Sequence, residues 1–144
     1  LQLPLFAIEI KTTTLIKPST LIVNSERELD DVGLKKLYLI VQILDEKKAG
    51  TGNSINQIVE NIKNKLENHM QSQFSRKLMS AGFYGQDESE FLYESRDTVT
   101  HLVVDDFPRI IESHLMSGIG NVQYRIQMSA LTEYIENFPE KESE

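Results

Sequence analysis

Glu9 and Lys11 stand two residues apart inside the apolar, β-branched run Leu5-Phe6-Ala7-Ile8-Glu9-Ile10-Lys11-Thr12-Thr13-Thr14. Those two residue types can do phosphate chemistry together. A glutamate carboxylate is a hard oxygen ligand suited to Mg²⁺, which keeps several waters and takes one or two protein carboxylates. A neighbouring lysine can orient or deprotonate such a water and offset charge on a phosphorane-like transition state. The run itself reads as a strand. Side chains alternate along a strand, so Glu9 and Lys11 share one face and Ile8 and Ile10 the other. Their stems then stand about 6.5 Å apart, at roughly 3.3 Å per residue. Charged groups are rare in a buried strand unless paired or bound to a cation. The competing reading is a charged pair on the wet face of a half-buried strand. Acid-x-lysine spacings also occur in Asp45-Glu46-Lys47-Lys48, a segment that reads as a solvated turn. The apolar context, not the spacing, singles out Glu9 and Lys11.

The elements around this strand follow from pattern. Lys17-Pro18-Ser19 marks a bend, and Thr20-Leu21-Ile22-Val23 is a short β-branched run. From Asn24 to Asp31 a short helix is expected, capped by Asn24 or Ser25 with Glu28 at capping-box spacing, and ended by Gly33. Leu37 to Leu44 is the most hydrophobic stretch and reads as a central strand buried on two sides. Asp45 to Gly52 is a loop; its Gly50-Thr51-Gly52 lacks the Lys-Ser/Thr of a phosphate loop. Ser54 caps a helix with Gln57 in capping-box position, and Ile55, Ile58, Val59, Ile62 and Leu66 form one stripe. A second helix is expected over Ser72 to Ala81, capped by Gly82. Glu90–Glu94 and Val99–Val104 read as two strands around a turn at Ser95 to Asp97. Val122 to Met128 alternates as a half-buried strand, and Leu131 to Ile135 makes a closing turn. Phe138-Pro139 leads into an acidic tail, 139–144, expected to be disordered.

Composition sets wider bounds. A chain of 144 residues, 40% hydrophobic and 26% charged, is long enough for one globular domain with a real core. It contains no cysteine, which excludes disulfides and thiolate metal sites and suits the cytoplasm. No apolar run approaches the ~20 residues that span a bilayer, so no membrane partner is expected. The net charge of −7 argues against a surface that coats nucleic acid generally, though not against a local basic cleft. The chain opens on Leu1 and passes almost at once into strand, which suggests further sequence upstream.

Other chemistry is thinly represented. His69, His101 and His114 fall on different elements without ligand spacing, and no serine, histidine and acid form a triad. Asp105 and Asp106 could bind a cation but read as solvated or capping, and Arg109 could meet a phosphate but reads as pairing with them.

In order and spacing, several blocks resemble the PD-(D/E)xK family of the restriction-endonuclease-like superfamily. They are Phe6 to Thr13 with its E-x-K, Ser25 to Asp31, Leu37-Tyr38-Leu39, Phe107-Pro108-Arg109-Ile110 and Val122 to Ile126. The resemblance covers nearly the whole chain, as the C-terminal part of such a protein. It implies an α/β fold, a mixed sheet flanked by helices, with an additional C-terminal β segment. It implies a metal-dependent DNA endonuclease using Mg²⁺ or Mn²⁺, acting in restriction of foreign DNA, possible as a homodimer. Carried over, Glu9 is a metal ligand, Ile10 offers its backbone carbonyl and Lys11 acts on the attacking water. In some relatives a polar residue on the following helix supports the site, which nominates Glu26, Arg27 and Glu28. The motif's own Asp is not matched, since no aspartate precedes Asp30. A non-catalytic binding or assembly domain on the same fold is the alternative.

Overall fold

The computed structural model describes residues 6–139. The β-branched run forms strand β1 (Phe6–Thr13), which pairs in parallel with β3 (Lys36–Lys47). Glu9 lies level with Leu39, and Lys11 with Val41. β3 is the middle strand of a mixed three-stranded sheet, with β1 on one side and β4 (Leu92–Val103) on the other. Its position explains its sequence: Leu37, Tyr38, Leu39 and Val41 are all buried, so both faces of the strand are covered. A second sheet pairs β2 (Thr20–Val23) antiparallel with β5 (Tyr124–Gln127).

The described residues form two compact units, one of residues 6–43 and 96–139, the other of residues 44–95. The core of the first joins Leu21, Val23 and Ile126 of the small sheet to Leu37, Leu39 and Val41 of β3, with Leu29, Phe107 and Leu131 closing round them. Because side chains alternate, the face of β3 that enters this core is the face shared with Glu9 and Lys11 of β1. The strand is therefore inverted relative to a simple amphipathic reading. Its two charges lie on the covered side, while Phe6, Ile8 and Ile10 are 56%, 41% and 60% exposed on the other.

In the second unit, α1 (Ile55–Lys65) starts at the expected capping box, with Ser54 Oγ accepting from Gln57 N and Gln57 Oε1 accepting from Ser54 N. Val59 is the buried residue of its stripe, and Ile62 stays 40% exposed. α2 (Asn68–Ser80) begins four residues before the expected Ser72. Gly52 has φ +117°, and a Cβ there would meet Tyr93 O at 2.9 Å, so the approach to β4 requires glycine.

Three local expectations are corrected. β3 runs on to Lys47, so Asp45 to Lys47 are strand rather than loop, with Lys47 Nζ donating to Glu94 Oε2 of β4 at 3.0 Å. Residues 26–29 form turns rather than a helix, because Glu28 sends its carboxylate back to Asn24 N and out to Lys11. The segment expected as two strands about Ser95 to Asp97 is one strand, β4. Its polar middle is held by pairing to β3, where Thr98 Oγ1 donates to Gln42 Oε1 at 2.9 Å and Gln42 Nε2 donates to Asp97 O. Of the expected tail, 140–144 lie outside the described residues; Phe138, just before it, packs on Tyr38 with ring centroids 5.1 Å apart.

His101, on β4, is 1% exposed and its Nδ1 lies 3.2 Å from Leu39 O. It is a satisfied core residue, and burial lowers its pKa below the ordinary histidine value. The unfolded chain binds the proton more readily, so this group's contribution is fully present above about pH 6.5 and is lost as the pH falls below it. Thermal unfolding followed from pH 7.5 to pH 5 should show Tm falling on acidification. In His101→Gln the slope across that window should flatten, even though Tm itself drops.

Candidate active site

Lys11 is the centre of the charged cluster. Its side chain is 13% exposed, its ammonium donates to Glu28 Oε2, and Glu9 Oε1 lies 3.5 Å away. Glu28 also accepts the backbone N–H of Asn24 at 3.1 Å. Desolvation pushes the Glu28 carboxyl up, but the Lys11 ammonium and the Asn24 N–H outweigh it and hold the pKa below the ordinary value. Burial raises the pKa of the Tyr124 phenol, on β5, and the negative charge of Glu28 adds to the rise. One ammonium thus serves two carboxylates delivered by different segments, β1 and the turn after β2.

The three supporting candidates part company in the turn. Glu28 reaches Lys11; Arg27 is exposed. Glu26, 6% exposed, turns the other way and accepts from Asn121 N at 3.2 Å and Val122 N at 2.9 Å. Its pKa is lowered chiefly by backbone N–H donors, its own first and then that of Val122. Glu26 is therefore an anchor for the loop before β5, including Asn121 with its φ of 56°.

A second anchor was not apparent from spacing. Arg109 does not pair with Asp105 or Asp106. Its side chain is 4% exposed, and Nη1 donates to Leu29 O at 2.6 Å and to Asp31 Oδ1 at 3.0 Å, while Nε is buried without a partner. It ties the far end of the turn that carries Glu28, across a sequence separation of about eighty residues that leaves no local signal. Asp105 and Asp106 are exposed, as expected.

The family model described as "Putative PD-(D/E)XK family member" (DUF4420) matches residues 1–129. The chain belongs to this family. No curated protein and no solved structure matches it. The PD-(D/E)XK assignment brings with it a superfamily whose members generally use divalent metals. Among the described residues no three His, Cys, Asp or Glu side chains converge to hold an ion. Mg²⁺ asks for less than that, one or two carboxylates with the remaining positions left to water and phosphate. Glu9 fits this demand. Its side chain is 29% exposed, and its carboxylate shares Lys11 with a second carboxylate, Glu28. Among the described residues, no helix is long and apolar enough to cross a membrane.

Proposed function

We propose that this PD-(D/E)XK protein hydrolyses DNA phosphodiesters with Mg²⁺ or Mn²⁺, in restriction of foreign DNA. The observation that carries the reading is the convergence of Glu9, Lys11 and Glu28 on the covered face of β1. Glu9 and the backbone carbonyl of Ile10 would hold the cation. When bound, such a cation acts as a Lewis acid on the phosphoryl oxygens and lowers the pKa of coordinated water. Lys11 orients the attacking water and offsets negative charge as it builds on the phosphate oxygens. Glu28 acts through Lys11 as a positioning residue, fixing the ammonium beside Glu9. Two copies of the chain would serve the two strands of a duplex.

A second reading has its own support. The Lys11 ammonium is already committed to two carboxylates, an arrangement that also suits a purely structural ion pair in a non-catalytic binding domain. Cleavage separates the two readings. Supercoiled plasmid incubated with the full-length protein should be nicked or linearised in Mg²⁺ or Mn²⁺ and left intact in EDTA, and Glu9→Gln should abolish the cutting. Folded protein that never cuts under these conditions would leave the binding domain as the reading to keep.

A further inference from the structure

Beside β1 lies a cavity of about 380 Å³, within the range of small-ligand pockets. Leu15 and Ile22 give it an exposed apolar wall outside the buried Leu21 and Val41, and Lys11, Thr13, Asn24 and Arg125 supply polar groups round it. Among the described residues no acidic side chain lines it, in a chain of net charge −7. The Lys11 ammonium already faces Glu9 and Glu28, whereas Arg125 is exposed and makes no ion pair among the described residues.

Arg125 is held where it stands by the β2–β5 pairing, which sets it opposite Ile22. Ile22 and Leu15 are 41% and 63% exposed at the same cavity, so one wall is apolar and open. A guanidinium presents a planar fork that matches phosphate oxygens, and hydroxyl and amide groups beside it add donors. An apolar wall suits a sugar and a base. The recess therefore has a cationic end and an apolar end, and it shares Lys11 with the candidate active site.

We infer that this recess seats one nucleotide of the DNA strand next to the scissile phosphate, its phosphate on Arg125 and its sugar and base against Leu15 and Ile22. The inference rests on the nuclease reading for the identity of the strand. Arg125 in this role binds substrate and sets its register; it takes no part in bond breaking.

The test is the affinity of the full-length protein for a fluorescent DNA duplex, measured by anisotropy in Ca²⁺ over a range of salt. Arg125→Ala should bind about tenfold more weakly, with the slope of log K against log salt smaller by about 1, as expected for one lost phosphate contact. Arg76→Ala, on the exposed face of α2, should match the wild type. In parallel, thymidine 3′,5′-bisphosphate is titrated into ¹⁵N-labelled protein. Shifts concentrated at Thr13, Asn24 and the Arg125 side chain are expected. An unchanged salt slope in Arg125→Ala together with no shift at those residues overturns the inference, even if the protein cuts DNA. If the wild type neither cuts nor binds DNA, the nuclease reading falls and the bisphosphate decides. Shifts confined to the recess then keep the nucleotide seat, and their absence removes it.

Discussion

Lys11→Ala should lower metal-dependent DNA cleavage by about 10²–10⁴-fold, the range typical of losing a group that positions or transfers a proton at the reacting centre. The effect should fall on kcat, with DNA affinity in Ca²⁺ changed much less. Loss of affinity in step with rate would mean that the ammonium serves binding rather than the transition state. Lys11→Arg retains the charge but replaces a compact ammonium by a wide planar fork, and it should recover little of the rate. The same substitution makes a prediction about stability. Glu28 has a depressed pKa in the folded protein, so its contribution is present above its unfolded value and is lost as pH falls through the depressed one. The stability difference between wild type and Lys11→Ala should therefore be largest near neutrality and narrow in acid. Urea unfolding at pH 7 and pH 3.5 measures both ends. A difference that did not depend on pH would mean that Lys11 stabilises through its stem and not its charge.

Arg109→Ala should destabilise the fold by about 2–3 kcal/mol, since it strands a carbonyl and loosens a carboxylate that had a guanidinium partner. The carbonyl is that of Leu29, whose side chain is fully buried, and the carboxylate is that of Asp31. Asp31 retains some exposure, which keeps the figure below that for two fully buried charges. Because this clamp secures the turn that presents Glu28 to Lys11, cleavage should also fall at temperatures where the variant is still folded. Chemical denaturation gives the first number and cleavage at 15 °C the second. Asp31→Asn should lose less stability than Arg109→Ala, because the bond to Leu29 O survives. Equal losses would show that the ion pair rather than the carbonyl bond holds the turn.

How far the chain could be read from pattern varied with the range of the interactions. β1, β2 and the central position of β3 follow from β-branched runs and their alternation. The Ser54 start of α1 follows from a capping box contained within four residues. The 25–31 segment misled because the same Glu28 that suits a capping box is drawn off by Lys11, seventeen residues earlier. Ser95 to Asp97 has turn-forming composition, yet hydrogen bonds to Gln42 from more than fifty residues away keep it in strand. The candidate site shows the same division. Glu9 and Lys11 share a face by simple alternation, and Glu28 stood with two neighbours of equal merit until the turn geometry separated them. Arg109 had two nearby aspartates and chose a distant third.

The inverted facing of β1 carries a consequence for how the chain finds its register. A slip of one residue against β3 would turn Phe6, Ile8 and Ile10 inward and release Glu9 and Lys11 to water, which the hydrophobic effect alone favours. The native pairing is thus locally frustrated, with a competitor that differs by a single step. What opposes the slip is the Lys11–Glu28 bond, which exists in one register only, and the turn that holds Glu28 in place. In this strand the charges act as the register mark, and the apolar residues are the ones left facing out.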